Sequence, residues 1–382
     1  MAQGGWSGEV SKVLVLAPTL LAYALGADSS LLFVVAPGRP VTAQPIASGR
    51  AAIGAAVNRL RSAIGGVASG VTDEGGVEGE ARALYEMLVI PVEPALVGAR
   101  RVLVSPDGAL HRLPFAALLR GGPLGTREPL MAWKPVSVVS SASVLAELVR
   151  RRPPAEAAPA LVAFGDPSYP RQGGEAGDAE VRSVLSRAGA LEPLPGTRAE
   201  VEAIAAAFPP GRAVTWLGDA ATEERAGAIP SGTSVVHFAC HGLLDPDLPL
   251  SSGLALTIPA NAEPGRENGL LQAWEILERV RLDADLVTLS ACETGLGREV
   301  SGEGLIGLTR AFQFAGARSV LASLWPVADE STAALMEAFY RARLAGQTKD
   351  EALRQAQMEL RSRPEFASPF FWAAFQLVGD YR

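Results

Sequence analysis

The chain is expected to be α/β, a mostly parallel sheet with helices on both faces, and two observations predict this. Beyond residue 160, short apolar runs alternate with segments of helical periodicity, the pattern of parallel strands joined by crossover helices. Two of those runs also end in chemistry-bearing residues. Val235-Val236-His237-Phe238-Ala239-Cys240-His241-Gly242 closes on His-Gly, and Asp285-Leu286-Val287-Thr288-Leu289-Ser290-Ala291-Cys292 closes on Ala-Cys. In open parallel sheets, ligands bind outside the carboxyl ends of the strands.

Composition bounds the rest. The chain has 382 residues, 48% of them apolar, enough for two domains of roughly 100–200 residues each. A Pro- and Ala-rich linker over 152–159 divides a region 1–152 from a region 153–382. The net charge of −7, with no basic stripe, argues against a nucleic-acid partner. Arg100-Arg101 and Arg150-Arg151-Arg152 read as solvated surface. Two cysteines make no disulfide framework, and free thiols fit a reducing, cytoplasmic compartment. The apolar run 13–27 resembles a signal peptide, but Glu9 precedes it and Pro18 interrupts it. It is also shorter than the ~20 residues of a membrane span.

In the first region, strands are expected over 13–16 and 31–35 and a helix over 50–64. Residues 65–79, rich in Gly and acidic residues, read as a mobile loop. A helix over 80–96 is interrupted near Pro91, strands follow at 101–105 and 136–139, and a helix over 143–151 takes Ser143 as its cap. In the second region, strands are expected at 160–165, 213–217, 234–240, 285–291, 319–324 and 373–378. A Gly-rich loop is expected near 171–178 and a short hairpin near 254–258. Helices are expected over 197–208, 222–228, 271–281, 303–315, 330–344 and 349–361. No repeat of 20–50 residues is present.

The chain has three histidines and two cysteines, and two of those histidines and both cysteines lie in the two motifs. Side chains alternate along a strand, so in a regular strand His237, Ala239 and His241 share one face and Cys240 takes the other. Cys240 then reads as a small buried residue, His237 as a core or supporting histidine, and His111 as structural. His241 closes its strand before Gly242, where the backbone can turn sharply. Cys292 stands at a strand end before Glu293-Thr294-Gly295-Leu296-Gly297, open to a loop, where a thiol can reach a substrate. A base beside a thiol above a rigid sheet is what a Cys-His hydrolase requires. Zinc ligation by His237, Cys240, His241 and Cys292 is disfavoured, because Cys240 and His241 would have to face one ion and no Cys-x2-Cys pair is present. No metal and no cofactor are expected.

Ordered matches along most of the chain carry a resemblance to a family. They include Leu88-Val89-Ile90-Pro91, Val104-Ser105-Pro106-Asp107-Gly108 and Leu113-Pro114-Phe115. Phe164-Gly165-Asp166-Pro167, Leu194-Pro195-Gly196-Thr197-Arg198-Ala199-Glu200 and Gly218-Asp219-Ala220-Ala221-Thr222-Glu223 follow. Ser323-Leu324-Trp325-Pro326-Val327 and Phe371-Trp372-Ala373-Ala374-Phe375 close the series. With these, the chain resembles CHAT-domain proteins, bacterial relatives of caspases and separases. The resemblance implies a caspase-like sheet in 153–382, preceded in 1–152 by a smaller α/β region of degenerate caspase-like form, as in separases. It implies a cysteine endopeptidase with His241 as base, Cys292 as nucleophile, and the amides of Gly242 and Cys292 as oxyanion hole.

The same resemblance points to 324–330 as a groove wall. Trp325 would contact substrate or plug the seam between sheet and helices. Asp329 or Glu293 would accept a basic side chain or serve as an ordinary surface or helix-start carboxylate. A backbone carbonyl and Asp245 both qualify as the group orienting His241. The expected partners are a protein or peptide substrate and a regulatory or sensor protein in signalling or defence. The alternatives are a quiet protease-fold scaffold and a Cys-dependent hydrolase of small amides or acyl groups. Residues 293–304, with four glycines, are expected to be mobile until a partner or substrate orders them.

Overall fold

The computed structural model describes residues 18–68, 70–71, 74–121, 127–151, 159–169, 191–245, 248–259, 267–290, 292–295, 303–327 and 329–382. The expected strand at 13–16, the linker core, the loop near 171–178 and residues 296–302 lie outside them. The chain forms two compact units, Met1–Arg151 with Gln347–Arg382, and Arg152–Gly346.

The first unit holds β1 (Pro18–Leu25), β2 (Ser30–Val35), β3 (Thr42–Ile46), β4 (Arg101–Ser105), β7 (Val136–Val138) and β17 (Phe375–Gly379), ordered β3-β2-β1-β4-β7-β17. A small hairpin, β5 (Leu119–Gly121) with β6 (Arg127–Pro129), accompanies them. The apolar run that resembled a leader supplies β1, which pairs antiparallel with β2 (Leu20↔Val35) and parallel with β4 (Pro18↔Arg101). Pro18 stands first in its strand, where a missing N–H is tolerated.

Residues 65–79 differ from the expected loop. Gly65 and Gly66 lie inside the helix Arg50–Ala68, and Val77 and Gly79 lie inside Glu74–Leu88. Leu60 and Ile64 are buried in the first helix and Val77 and Ala81 in the second, and that tertiary packing outweighs the roughly 1 kcal/mol by which each glycine disfavours a helix. The helix expected over 143–151 is Ala142–Arg150, capped by Ser141, whose Oγ accepts from Val144 N at 3.1 Å, rather than by Ser143.

The C-terminal segment is tied into this unit by a buried ion pair. Arg101, expected at the solvated surface, is buried instead because it has a carboxylate partner. Its Nη1 donates to both carboxylate oxygens of Asp350 at 2.6 Å, and the guanidinium lies 4.2 Å from the centre of the Tyr381 ring. Arg354, on the helix Lys349–Arg361, donates to the carbonyls of Met131 and Ala132 at 2.8 Å.

The second unit contains five parallel strands: β8 (Leu161–Gly165), β9 (Ala213–Leu217), β10 (Val235–Ala239), β14 (Leu286–Leu289) and β16 (Ser319–Ser323), ordered β16-β14-β10-β8-β9. Their register includes Val236↔Val287 and Val236↔Val162. The central strands are buried along their length, as expected where helices cover a parallel sheet. Phe164, Phe238 and Phe312 join in the core, the last from the helix Glu303–Ala315.

Both motif strands are broken where the sequence suggested continuous runs. β10 stops at Ala239, and His241 opens a new strand, β11 (His241–Leu244). β14 stops at Leu289, and Cys292 opens β15 (Cys292–Gly295). Together with β12 (Gly253–Ala255) and β13 (Leu270–Gln272), the new strands form a second sheet, ordered β13-β12-β11-β15. The expected helix over 271–281 is therefore β13 followed by the helix Ala273–Arg279. Residues 293–295, expected at the start of a mobile loop, continue from Cys292 as a strand paired with β11.

Candidate active site

His241 and Cys292 are cross-strand partners in the parallel pair β11–β15, and Gly242 partners Glu293 one step on. In the larger sheet, four residues upstream on both chain segments, His237 partners Thr288. The register is thus preserved while both segments change sheets.

The His241 ring is buried and held at one nitrogen. Nε2 lies 2.8 Å from the carbonyl oxygen of Glu192. A carbonyl can only accept, so Nε2 carries the proton, and in the neutral imidazole Nδ1 is the basic atom. Nδ1 is buried and has no hydrogen-bond partner among the described residues. Burial holds the His241 pKa below its usual value, opposed by the Glu192 carbonyl and by the charges of Asp329 and Glu192. The orienting group is therefore a carbonyl. Asp245, just after β11, has other contacts. Its Oδ1 accepts from Leu248 N at 2.9 Å, while its own N–H donates to Ser252 Oγ at 3.0 Å.

Tyr169 also contacts His241, with ring centres 5.2 Å apart. Its hydroxyl donates to Ala255 O at 2.9 Å and accepts from His241 N–H at 3.4 Å. Neither Glu192 nor Tyr169 was singled out by the sequence. A backbone acceptor leaves no side-chain signature, whereas an aromatic just after Gly165-Asp166-Pro167, at the end of β8, was a readable signal.

Asp329 is exposed and opens the helix Asp329–Leu344. A Cβ on Gly196 would stand 2.8 Å from the Asp329 Cβ, so glycine at 196 permits a close approach between the starts of two helices. Trp325, two residues after β16, is 8% exposed. Glu293 lies in β15. Cys240 is buried in the break between β10 and β11.

His237 is fully buried in a polar cluster of its own. Its Nδ1 lies 3.1 Å from Tyr340 Oη, which is 2.7 Å from Thr288 Oγ1. Its Nε2 is 3.1 Å from Glu200 Oε1, though poorly aligned for a hydrogen bond. Glu223 supports the small sheet. One of its carboxylate oxygens accepts from the N–H groups of Asn268 and Gly269, both at 2.8 Å, at the entrance to β13. Burial, then the nearby charge of Glu275, pushes the Glu223 pKa up to about 7.

The separase chain of the Saccharomyces cerevisiae separase–securin complex, solved at 2.6 Å, superposes with a TM-score of 0.55 at 10% identity, covering 98% of this chain and 31% of that one. The fold is caspase-like: mixed α/β, with a large, mostly parallel sheet flanked by helices. The CHAT domain profile matches residues 78–380, and the chain belongs to that family. Human tetratricopeptide repeat protein 28 is 29% identical over 341 residues, and its mouse counterpart 32% over 341 residues. Each alignment covers 78% of this chain, which spans 13% of the length of those relatives. Among the described residues, no helix is long and apolar enough to cross a membrane.

Proposed function

We propose that the chain is a cysteine endopeptidase in which His241 and Cys292 form the dyad. The observation that supports this best is their pairing across β11–β15, with the imidazole turned by the Glu192 carbonyl so that Nδ1 is left as the base. Partners on adjacent strands stand about 4.8 Å apart along the ladder, a spacing from which an imidazole and a thiol can meet.

In this reading Cys292 attacks the scissile carbonyl as thiolate. The amides of Gly242 and Cys292 hold the oxyanion, and fixed dipoles need no reorganisation as charge develops. Nδ1 of His241, having taken the Cys292 thiol proton as the thiolate forms, delivers it to the leaving amine, which departs and leaves a thioester. His241 then takes a proton from water as the water oxygen bonds to the thioester carbon, and the thiolate is expelled. Asp329, exposed beside this edge, is the proposed acceptor for a basic substrate side chain, with Glu293 the second candidate and Trp325 part of the wall.

The partners proposed are a protein substrate and a regulatory protein. The repeats in the name of the mammalian relatives, and the securin bound to separase, motivate a regulator outside this chain. Digestion of an unbiased peptide library tests the reading. Cleavage that disappears with Cys292→Ala supports it, and cleavage that persists in that variant refutes it. The cytoplasm is the proposed compartment, on the strength of the free thiols.

A further inference from the structure

Tyr169 is the one aromatic side chain in ring contact with His241, among the described residues. Its hydroxyl sits where the β11–β12 ladder ends. His241 and Ala255 are register partners, yet the His241 N–H and the Ala255 carbonyl both go to the Tyr169 oxygen. The phenol therefore stands in for the last rung and fixes the backbone of the residue whose imidazole it also touches.

The tyrosine packs in a small apolar cluster with Leu191, Leu243, Ala255, Ile258 and Leu270. Leu191 immediately precedes Glu192, the source of the carbonyl that holds Nε2. Tyr169 thus supports both partners of the Nε2 hydrogen bond. It is itself anchored: Ser168 N–H donates to Thr257 Oγ1, the Ser168 carbonyl accepts from Ile258 N–H, and Ser168 Oγ donates to Asp219 Oδ1. Burial keeps the phenol protonated well above its usual range, so it remains a hydrogen-bond donor throughout the neutral range.

We propose that Tyr169 is a positioning residue for the dyad, holding the His241 backbone through its hydroxyl and the imidazole through its ring so that Nε2 stays on the Glu192 carbonyl and Nδ1 stays available to the thiol. The inference rests on the dyad reading given above. A displacement of about 1 Å at a catalytic group can cost on the order of 100-fold in rate, so a residue that never touches substrate can still set the reactivity of the site.

The test uses the full chain carrying Cys240→Ala, which leaves Cys292 as its one thiol. The rate of iodoacetamide alkylation is followed from pH 5 to 9 in this background, and with Tyr169→Phe, Tyr169→Leu or His241→Ala added. The tautomer of His241 is read by nitrogen NMR. His241→Ala should move the alkylation midpoint toward the free-thiol value of about 8.5. Tyr169→Leu should move it the same way, slow alkylation about tenfold at pH 7 and mix the imidazole tautomers. Tyr169→Phe should give a smaller shift and faster exchange of the His241 amide proton, with melting temperature little changed.

If His241→Ala moves the midpoint while both Tyr169 variants keep the background profile and a single tautomer, Tyr169 has no positioning role. If His241→Ala itself moves nothing, the dyad reading falls and takes this inference with it. Should Tyr169→Leu not fold, Tyr169→Phe decides by amide exchange and midpoint, and background values for both overturn the proposal.

Discussion

His241 and Cys292 are paired across a parallel ladder in the register that already pairs His237 with Thr288 in the sheet behind them. Each segment leaves the large sheet and re-forms a strand in the small one without slipping. A one-residue slip on either side would pair Cys292 with a neighbour of His241 and turn the side chains of that strand to the other face. The buried polar contact of His237 with Tyr340, which also meets Thr288, is well placed to fix this register before the strands separate.

Cys292→Ala and His241→Ala should each reduce peptide cleavage to background, while Cys240→Ala should leave kcat/KM within about twofold. Cys240 is buried in the strand break, and a small apolar replacement loses little there. Library digestion by the three variants, with their circular dichroism as a folding control, checks this.

Asp329→Asn should lower the pKa of His241 further, because the carboxylate is one of the groups opposing the effect of burial. NMR titration of the imidazole reads the change directly. The sign for stability follows from the depressed folded value. Neutral His241 is favoured in the fold, so its contribution is present above the unfolded pKa of about 6.5 and is lost as pH falls through the folded value. His241→Asn should flatten that acid slope in melting temperature against pH.

Glu223→Gln should stabilise the chain at pH 8 and have little effect at pH 5. The folded pKa of about 7 lies above the usual carboxylate range, so ionisation costs the folded state stability as pH rises toward and through 7. A glutamine oxygen can still accept from Asn268 and Gly269. Equal melting temperatures of variant and parent across this range would show that Glu223 ionises without penalty.

Trp325→Ala should cost about 3–5 kcal/mol of stability, the range for truncating a buried aromatic. At 8% exposure most of Trp325 is packed against protein, so it can line the proposed groove wall only with the small area left. Chemical denaturation gives the stability, and the KM of the remaining folded protein shows whether the ring also contributes to the groove.

The strand and helix series from β8 to β16 was readable because each apolar run is short, bounded by turn residues and followed by helical periodicity. The breaks after Ala239 and after Leu289 were not, since an apolar run looks the same whether it stays in one sheet or passes to another. The helices through Gly65 and Gly79 were hidden for a different reason: their stability comes from burying Leu60 and Ile64 in the first and Val77 and Ala81 in the second, and not from local preference. In the site, His241 and Cys292 stood out as scarce residue types at strand ends. Glu192 did not, because what it supplies is its backbone.

The backbone acceptor at 192 has a genetic consequence. An imidazole steered by a side chain can be disabled by changing one codon. One steered by the peptide carbonyl at position 192 cannot, because every amino acid carries the same acceptor there. Selection on this contact therefore acts on the route the chain takes through 191–194, while the side chain at 192 bears on the imidazole only through its charge. Alanine scanning would pass over the group that sets the tautomer of His241, while a deletion or insertion beside it would remove the contact with every surrounding side chain intact.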